Sequence, residues 1–371
     1  MTQSASDARF MALALSLGAR GLGRVWPNPA VGCVIVSQDR IVGRGWTADG
    51  GRPHAETIAL AQAGAAAKGA TVYVTLEPCA HHGKTPPCAG ALILAGVARV
   101  VTSIKDPDSR VAGKGNAMLR AAGIDVVEGV GQAAAIHSHA GFLKRVQVGR
   151  PMVTLKLASS FDGRIATATG ESQWITSPEA RRMVHMMRAR HDAVMVGAGT
   201  ARSDDPSLTV RDLGIKSQPV RVVASRLLDL PLNSKLALTA QDIPLWLCHG
   251  AGADPVLIEA WRGIGATLVQ CKLHQGQLDP VSILQTLGQA GLTRVFVEGG
   301  SAFAASLLRA GLVDELIGFT AGIGLGADGL PALGALGIPR LAAAPQFELM
   351  ECRQIGADVL HHWRRAYSIS T

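Results

Sequence analysis

Short apolar or β-branched runs alternate with longer helix-like stretches along the first 150 positions of the chain. Such runs are typical of strands, and the stretches between them are typical of helices. Strands are predicted over residues 30–36, 41–46, 71–76, 99–104 and 124–130. Helices are predicted over residues 10–19, from 54 to about 67, and over 116–122. This succession predicts a three-layer α/β domain.

The same alternation continues in the rest of the chain, after Gly149-Arg150-Pro151. We therefore expect two α/β domains, residues 1–149 and residues 150–371. Ser177-Pro178-Glu179 predicts a helix start, with serine as N-cap, proline in the first helical position and an acid in the first turn. Further strands are predicted over residues 152–158, 193–196, 220–224, 244–248, 266–272, 294–297 and 315–320.

Composition excludes several classes of protein. The chain has 371 residues, of which 48% are hydrophobic and 17% charged, so it is globular rather than disordered. No apolar run reaches the roughly 18–20 residues that cross a bilayer, which argues against a membrane protein. Residues 1–150 hold 16 Lys and Arg against 9 Asp and Glu, whereas the remainder holds 20 against 19. The basic first part suggests an anionic partner, either nucleic acid or a phosphorylated small molecule.

Cysteine usage indicates a reducing compartment. The apolar run at residues 10–19 lacks the positive flank of a secretory signal, and six cysteines are too sparse for a disulfide scaffold. We therefore expect a cytoplasmic protein with reduced thiols. Four cysteines sit in or near apolar runs and are predicted to be small buried hydrophobes: Cys33, Cys248, Cys271 and Cys352.

The other two cysteines belong to a predicted metal site. His54 and Glu56 begin a helix-like stretch, and Cys79 and Cys88 follow about twenty-five and thirty-four residues after His54. One imidazole and two thiolates suit zinc and leave a fourth position for water. Glu56 can take a proton from that water and deliver it to a leaving amine. The arrangement predicts a catalytic zinc; a structural zinc would normally have four protein ligands.

His-x-Glu followed by Pro-Cys and a second cysteine is the general signature of zinc nucleobase deaminases, but here eight residues separate the cysteines instead of two. This long spacing and its surroundings resemble the bifunctional riboflavin-biosynthesis deaminase/reductase family. The resemblance covers nearly the whole chain. It is carried by WPNPAVG (26–32), HAE (54–56), TLEPCAHHGKTPPC (75–88), LKLASSFDG (155–163), QWITS (173–177), GAGTARSDDP (197–206), LTVR (208–211) and VEGG (297–300).

The resemblance implies a cytidine-deaminase-like three-layer domain followed by a dihydrofolate-reductase-like domain. The first would deaminate 2,5-diamino-6-(5-phosphoribosylamino)pyrimidin-4(3H)-one with zinc held by His54, Cys79 and Cys88 and protons moved by Glu56. The second would use NADPH to reduce the ribosyl group of 5-amino-6-(5-phosphoribosylamino)uracil to ribityl. The family also forms homo-oligomers, which implies a dimer or tetramer here.

Position by position, the resemblance implies further contacts. Asn28 would orient the pyrimidine, and His81, Lys84 and Thr85 are candidates for the substrate phosphate. The substrate of the reductase would contact Ser172, Arg188, Leu208, Arg211 and Glu298, and the two arginines suit its phosphate. NADPH would contact Ala158, Trp174, Thr200, Asp204, Gly300, Ser301, Ala302, Phe303, Ala304, Ala305 and Ser306. Lys156 and Asp204 are the candidate proton donors at the ribose.

The sequence departs from the family pattern in three places. Asp106-Pro107-Asp108-Ser109 stands where the family has Asp-Pro-Asn-Pro, and Phe161 replaces a leucine. Ala224-Ser225 replaces a Leu-Asp pair after a strand, which is expected to change contacts on the adenosine side of NADPH.

Two other functions would fit parts of the sequence. A deaminase acting on RNA, such as a tRNA adenosine deaminase with an accessory C-terminal domain, would explain the basic first part. The cysteine spacing and an aromatic content of only 4% argue against it, so no nucleic-acid partner is expected. A non-enzymatic protein with a structural zinc is the second alternative. Metal analysis and a coupled NADPH assay separate it from an enzyme.

Overall fold

A computed structural model describes residues 3–80, 87–108 and 112–366. The chain folds as two compact units, Met1–Gly149 and Arg150–Thr371. The phosphate candidates His81, Lys84 and Thr85 lie outside the described residues. None of the described helices combines the length and the apolarity needed to cross a bilayer.

The first unit is built on a sheet of order β2-β1-β3-β4-β5, in which β1 is antiparallel to both neighbours and β3, β4 and β5 are parallel. Its elements in chain order are α1 (Gln3–Gly18), β1 (Gly32–Ser37), β2 (Arg40–Trp46), α2 (Ala55–Ala63), β3 (Thr71–Val74), α3 (Cys88–Leu94), β4 (Arg99–Thr102), α4 (Lys114–Ala121), β5 (Asp125–Val127), α5 (Gln132–Ser138) and α6 (Ala140–Val148).

Strand β1 shows why this unit has three layers. Its side chains alternate between the two faces of the sheet, as in any strand. Val34 and Val36 pack into a core with Phe10 and Met11 of α1. Cys33 and Ile35 point the other way, into a core shared with α2, α3 and α4. The predicted three-layer arrangement is confirmed, and the predicted helix at residues 10–19 is confirmed as part of α1, which begins earlier, at Gln3.

The second unit is built on a sheet of order β11-β10-β9-β8-β14-β6-β15-β18-β17, parallel from β11 to β15, with an antiparallel hairpin at one edge. Its elements are β6 (Met152–Ser160), β7 (Arg164–Ala166), α7 (Pro178–Arg188), β8 (Ala193–Gly197), α8 (Ala198–Asp204), β9 (Val220–Ala224), α9 (Lys235–Leu238), β10 (Leu245–His249), α10 (Pro255–Gly263), β11 (Thr267–Gln270), β12 (Leu273–His274), β13 (Gln277–Leu278), α11 (Pro280–Gln289), β14 (Arg294–Val297), α12 (Ser301–Arg309), β15 (Glu315–Ala321), β16 (Leu330–Pro331), β17 (Phe347–Ile355) and β18 (Asp358–Arg365).

The parallel strands fix where a site can form in this unit. Strands β8, β14 and β6 are neighbours, and their carboxyl ends meet at one edge of the sheet. In open α/β sheets ligands bind in the crevice outside these ends. Ser177 caps α7 as predicted, since its hydroxyl accepts a hydrogen bond from the Ala180 N–H at 3.3 Å.

The prediction that four cysteines are buried is wrong for one of them. Cys33, Cys248 and Cys271 are buried, but Cys352 is exposed. Cys352 lies on β17, whose residues between Phe347 and Ile355 are exposed on both faces. The apolar residues around it therefore belong to an uncovered edge strand instead of a core.

A buried histidine links α7 to the sheet of the second unit. His191 is 8% exposed and stacks against Phe296, with ring centroids 5.0 Å apart. Its Nδ1–H donates to the Met187 carbonyl at 2.7 Å, and its Nε2 accepts from the Thr154 hydroxyl at 3.0 Å. The second of these bonds requires the neutral ring, since a protonated Nε2 cannot accept, and burial lowers the pKa of His191 to about 4.

We expect His191 to make the second unit less stable in mild acid. The folded state resists protonation down to pH values near 4, whereas the unfolded histidine takes a proton near 6.5. Stability is therefore fully present above the unfolded pKa and falls as pH drops towards the folded pKa, by up to about 3 kcal/mol. Urea unfolding at pH 7 and pH 5 of wild type and His191→Gln measures this. Between pH 7 and pH 5 the variant should lose less free energy of unfolding than the wild type. Equal losses in the two proteins would show that His191 does not cause the pH dependence.

Candidate functional site

The start of α2 and the segment after β3 bring the three predicted metal ligands together. His54 is the N-cap of α2, Cys79 follows β3, and Cys88 begins α3. Their ligand atoms all lie within 4.8 Å of one another. The His54 Nδ1 is 3.2 Å from the Cys88 Sγ and 3.7 Å from the Cys79 Sγ. Three groups separated in the sequence thus converge on one point.

Glu56 completes this cluster. It lies in the first turn of α2, is 4% exposed, and hydrogen-bonds the Cys88 thiol. Burial raises the pKa of Glu56 to about 7, so this carboxyl can both accept and release a proton near neutral pH. A hydrogen bond from the Cys88 thiol lowers the pKa of Cys79, which favours the thiolate that a metal ligand needs.

The donor set fits zinc. One imidazole nitrogen and two sulfurs are ligands that zinc prefers, and three protein ligands are typical of a catalytic site with a position left for water or substrate. A buried carboxyl beside that position matches the general acid and base that such a site needs. The geometry therefore joins the ligands and the proton carrier that the sequence predicted.

Asn28 lies beside the segment that leads to His54. Its side-chain amide packs against the backbone of Gly51, so close that a Cβ at Gly51 would come within 1.9 Å of the Asn28 Nδ2. The backbone N–H of Asn28 donates to the Val25 carbonyl at 3.0 Å. Asn28 is thus held against Gly51, which lies three residues before His54.

At the carboxyl end of β14, Glu298 forms a buried ion pair with Arg188 of α7. The Arg188 Nη2 donates to the Glu298 Oε2 at 2.8 Å, and the Nε donates to the Oε1. The Arg188 Nη1 donates to the Thr209 carbonyl at 2.7 Å. Although burial opposes ionisation, Arg188 holds the pKa of Glu298 below its ordinary value. The sequence predicted both residues as substrate contacts but not that they pair.

Two further titratable groups face this ion pair. Lys156 of β6 interacts with Glu298 and Arg188, and burial lowers its pKa. His185, one turn before Arg188, places its Nδ1 3.1 Å from the Thr209 carbonyl and 3.3 Å from the Arg211 N–H. Burial also lowers the pKa of His185. Sequence reasoning missed His185; its spacing from Arg188 on a helix was the available signal.

The start of α12 provides backbone donors at the same edge. Gly300 caps the helix with φ +77, a conformation that favours glycine, and an added Cβ would lie 3.2 Å from the Thr200 Oγ1. Gly300, Ser301, Ala302 and Phe303 thus lie at an N-terminus beside Thr200, where backbone N–H groups favour phosphate. Ala304 and Ala305 are fully buried, and the Ser306 hydroxyl donates to the Phe303 carbonyl at 2.7 Å. The side chains of these last three residues are therefore engaged within the fold.

The remaining predicted contacts differ in exposure. Leu208 is 2% exposed and has φ +55, a strained conformation for leucine, next to the Thr209 carbonyl that binds Arg188. Trp174 is 66% exposed, and the Arg181 guanidinium lies 4.6 Å from the centre of its ring. The others are exposed or half-buried: Ala158, Ser172, Asp204 and Arg211.

Comparison with known families agrees with both halves of the structure. Residues 4–104 match the model of the cytidine and deoxycytidylate deaminase zinc-binding region, and residues 151–361 match that of the RibD C-terminal domain. The predicted cytidine-deaminase-like and dihydrofolate-reductase-like folds are confirmed. So are the predicted cofactors, zinc and NADPH.

Relatives extend the match to the whole chain. The riboflavin biosynthesis protein RibD of Escherichia coli is 44% identical, over 96% of this chain and 98% of that protein. The RibD structure from Acinetobacter baumannii is 38% identical with a TM-score of 0.88, over 98% of this chain and all of that chain. A Thermotoga maritima diaminohydroxyphosphoribosylaminopyrimidine deaminase/5-amino-6-(5-phosphoribosylamino)uracil reductase is 33% identical with a TM-score of 0.86. The chain belongs to the RibD family, the bifunctional deaminase/reductases of riboflavin biosynthesis.

Proposed function

We propose that residues 1–149 deaminate 2,5-diamino-6-(5-phosphoribosylamino)pyrimidin-4(3H)-one and that residues 150–371 then reduce the ribosyl group of the product. The observation that carries the first assignment is the convergence of His54, Cys79 and Cys88 within 4.8 Å beside the buried Glu56. The relatives that match over nearly the full chain include a protein with both of these activities. A tRNA adenosine deaminase is not favoured.

His54, Cys79 and Cys88 would hold the zinc, and Glu56 would carry the protons. When bound, zinc supplies an activated water for attack on the carbon that bears the amino group. Glu56 takes a proton from that water and later gives it to the departing amine, which leaves as ammonia. Its pKa of about 7 suits both steps because neither protonation state is strongly preferred at neutral pH. Asn28 would orient the pyrimidine against this carboxyl.

Glu56→Gln should abolish deamination and leave zinc in place. The amide cannot accept the proton, so we expect kcat to fall by about 10²–10⁴. Zinc content by mass spectrometry should stay at the wild-type value, since Glu56 is not among the three converging ligands. Asp49→Asn is a matched control, because Asp49 is an exposed acid five residues before His54. Wild-type activity in Glu56→Gln, or loss of its zinc, would refute this role.

In the second unit, Glu298 and Lys156 would contact the reacting ribose. NADPH supplies the hydride when bound. This chain binds and orients the cofactor and the substrate, and it supplies the proton. The start of α12 and Thr200 would hold a phosphate of the cofactor. Arg188 already donates to Glu298 and to the Thr209 carbonyl, so we assign it the role of holding Glu298 in place. Arg211 is then the arginine that would bind the substrate phosphate. The half-buried Lys156 is a better proton donor than the exposed Asp204, whose carboxylate accepts from the Ser203 hydroxyl at 2.6 Å.

Lys156→Met should slow reduction with little change in the KM for NADPH. Loss of a positioned proton donor costs about 10²–10⁴ in kcat. The measurement is NADPH absorbance with the deaminated intermediate as substrate, beside Asp204→Asn as a test of the other donor. If kcat fell in Asp204→Asn and stayed at the wild-type value in Lys156→Met, Asp204 would be the proton donor instead of Lys156. No NADPH oxidation by the folded wild type would contradict the reductase assignment itself.

We also propose that the protein acts in the cytoplasm, where its two thiol ligands stay reduced, and that its anionic partner is the phosphorylated substrate rather than nucleic acid. The excess of Lys and Arg in residues 1–150 accords with such a substrate. The described residues show no membrane-spanning helix.

We further propose a homo-oligomer, a dimer or tetramer, that pairs through β17. This strand is one of the two edges of its sheet, and it exposes Leu349 and Met350 by 52% and 45%. A long edge strand that exposes apolar side chains is an unpaired template unless another chain covers it. A second copy of the chain would do so.

Charged residues on β17 should therefore lower the molecular mass in solution. Leu349→Lys with Met350→Lys should shift the light-scattering mass towards that of one chain, 38.5 kDa. Leu238→Lys is a matched control, because Leu238 is 73% exposed in α9, away from this edge. A monomeric wild type, or an unchanged mass in the double variant, would contradict the interface.

A further inference from the structure

Glu77, two residues before Cys79, is a buried carboxylate that binds only backbone N–H groups in the contacts of the described residues. It is 3% exposed. Its Oε2 accepts from Gly113 at 2.9 Å and from Asp106 at 3.3 Å, and its Oε1 accepts from Gly115 at 2.9 Å and from Asn116 at 3.2 Å. Four donors thus satisfy one charge without a cation.

These donors come from two places in the fold. Asp106 and Gly113 are at the two ends of the segment after β4, and Gly115 and Asn116 are in the first turn of α4. Carboxylates are stabilised at helix N-termini, where N–H groups lack partners within the helix. The Glu77 side chain therefore joins Asp106 and Gly113 to the first turn of α4.

A second contact ties the same peptide to α4. The backbone of Gly115 approaches the Pro78 carbonyl so closely that a Cβ at position 115 would lie 1.9 Å from the Pro78 oxygen. The Glu77 N–H donates to the Ile104 carbonyl at 3.0 Å, on the β4 side. Residues 77 and 78 are thus held by a carboxylate, a backbone hydrogen bond and a steric contact.

Cys79 is separated from this anchor by a single proline. The proline ring fixes φ of residue 78, so few rotations can absorb a shift between Glu77 and Cys79. On its other side, Cys79 accepts two hydrogen bonds from α3. Its carbonyl accepts one from the Ala89 N–H at 3.2 Å, and its Sγ accepts one from the Cys88 N–H at 3.3 Å. The position of the Cys79 sulfur therefore depends on both α3 and α4.

We propose that Glu77 is a positioning residue of the metal site, which sets the place of the Cys79 sulfur by clamping the preceding peptide to α4. This inference rests on the proposed zinc ligands. Groups that orient metal ligands typically change metal affinity by about 10–100-fold when replaced. Glu77 would do so through the backbone, without touching a ligand side chain.

The test compares Glu77→Gln with Asp7→Asn in the full-length protein. In Glu77→Gln an amide NH₂ faces backbone N–H donors, so the clamp should open. Asp7 is a matched control, because it is also a buried carboxylate of the first unit, 4% exposed, but it pairs with Arg99. We expect Glu77→Gln to raise the zinc dissociation constant about 10–100-fold in chelator competition and to shift the absorption of the cobalt(II)-loaded protein. Asp7→Asn should lower thermal stability without either change.

Gly115→Ala tests the clamp from the helix side, with Glu77 intact. Its new methyl group would push the Pro78 carbonyl, so it should produce the same kind of cobalt(II) shift. If Glu77→Gln and Gly115→Ala both kept the wild-type zinc affinity and cobalt(II) spectrum, Glu77 would have only a folding role and the proposal would be wrong. If Glu77→Gln failed to fold, Gly115→Ala would decide alone. Neither readout uses enzymatic turnover, so failure here is distinct from failure of the proposed deamination.

Discussion

Backbone groups that leave a parallel strand lose their sheet partners and must find other hydrogen bonds if they stay buried. In both units the chemistry-bearing residues stand where this happens. Cys79 follows β3, and Glu298 follows β14. In the first unit a carboxylate, Glu77, gathers the free N–H groups around it. In the second, Gly299 and Gly300 turn the chain into α12, whose N–H groups stay available for a ligand.

The two units differ in how they balance buried charge. In the contacts of the described residues, Glu77 is held by four backbone N–H donors, which are neutral. Glu298 is paired with Arg188, and Lys156 adds a positive charge beside them. That set carries a net positive charge, which suits a phosphorylated substrate and a cofactor that delivers hydride. The charge around each carboxylate therefore depends on its partners, which are backbone N–H groups for Glu77 and a guanidinium for Glu298.

Much of the zinc site could be predicted from sequence, because its parts lie within 35 consecutive residues and each has a distinctive type. His54, Glu56, Cys79 and Cys88 are separated by one helix and one strand, and they converge as expected. The Glu77 clamp could not be predicted, since three of its four donors lie at the start of α4, more than thirty residues further on. A Glu before Pro-Cys carries no sequence signal for such backbone partners.

The second site is assembled from residues more than a hundred positions apart, and this limits what a pattern can show. The sequence predicted the strands β6, β8 and β14 and the helix start at Ser177. It did not predict that Arg188 would face Glu298 across 110 positions, because that depends on where α7 packs on the sheet. It also misjudged Cys352, because an apolar residue on a hairpin edge has the same local sequence as one in a core. The packing of α7 on the sheet, rather than local periodicity, therefore places Arg188 against Glu298.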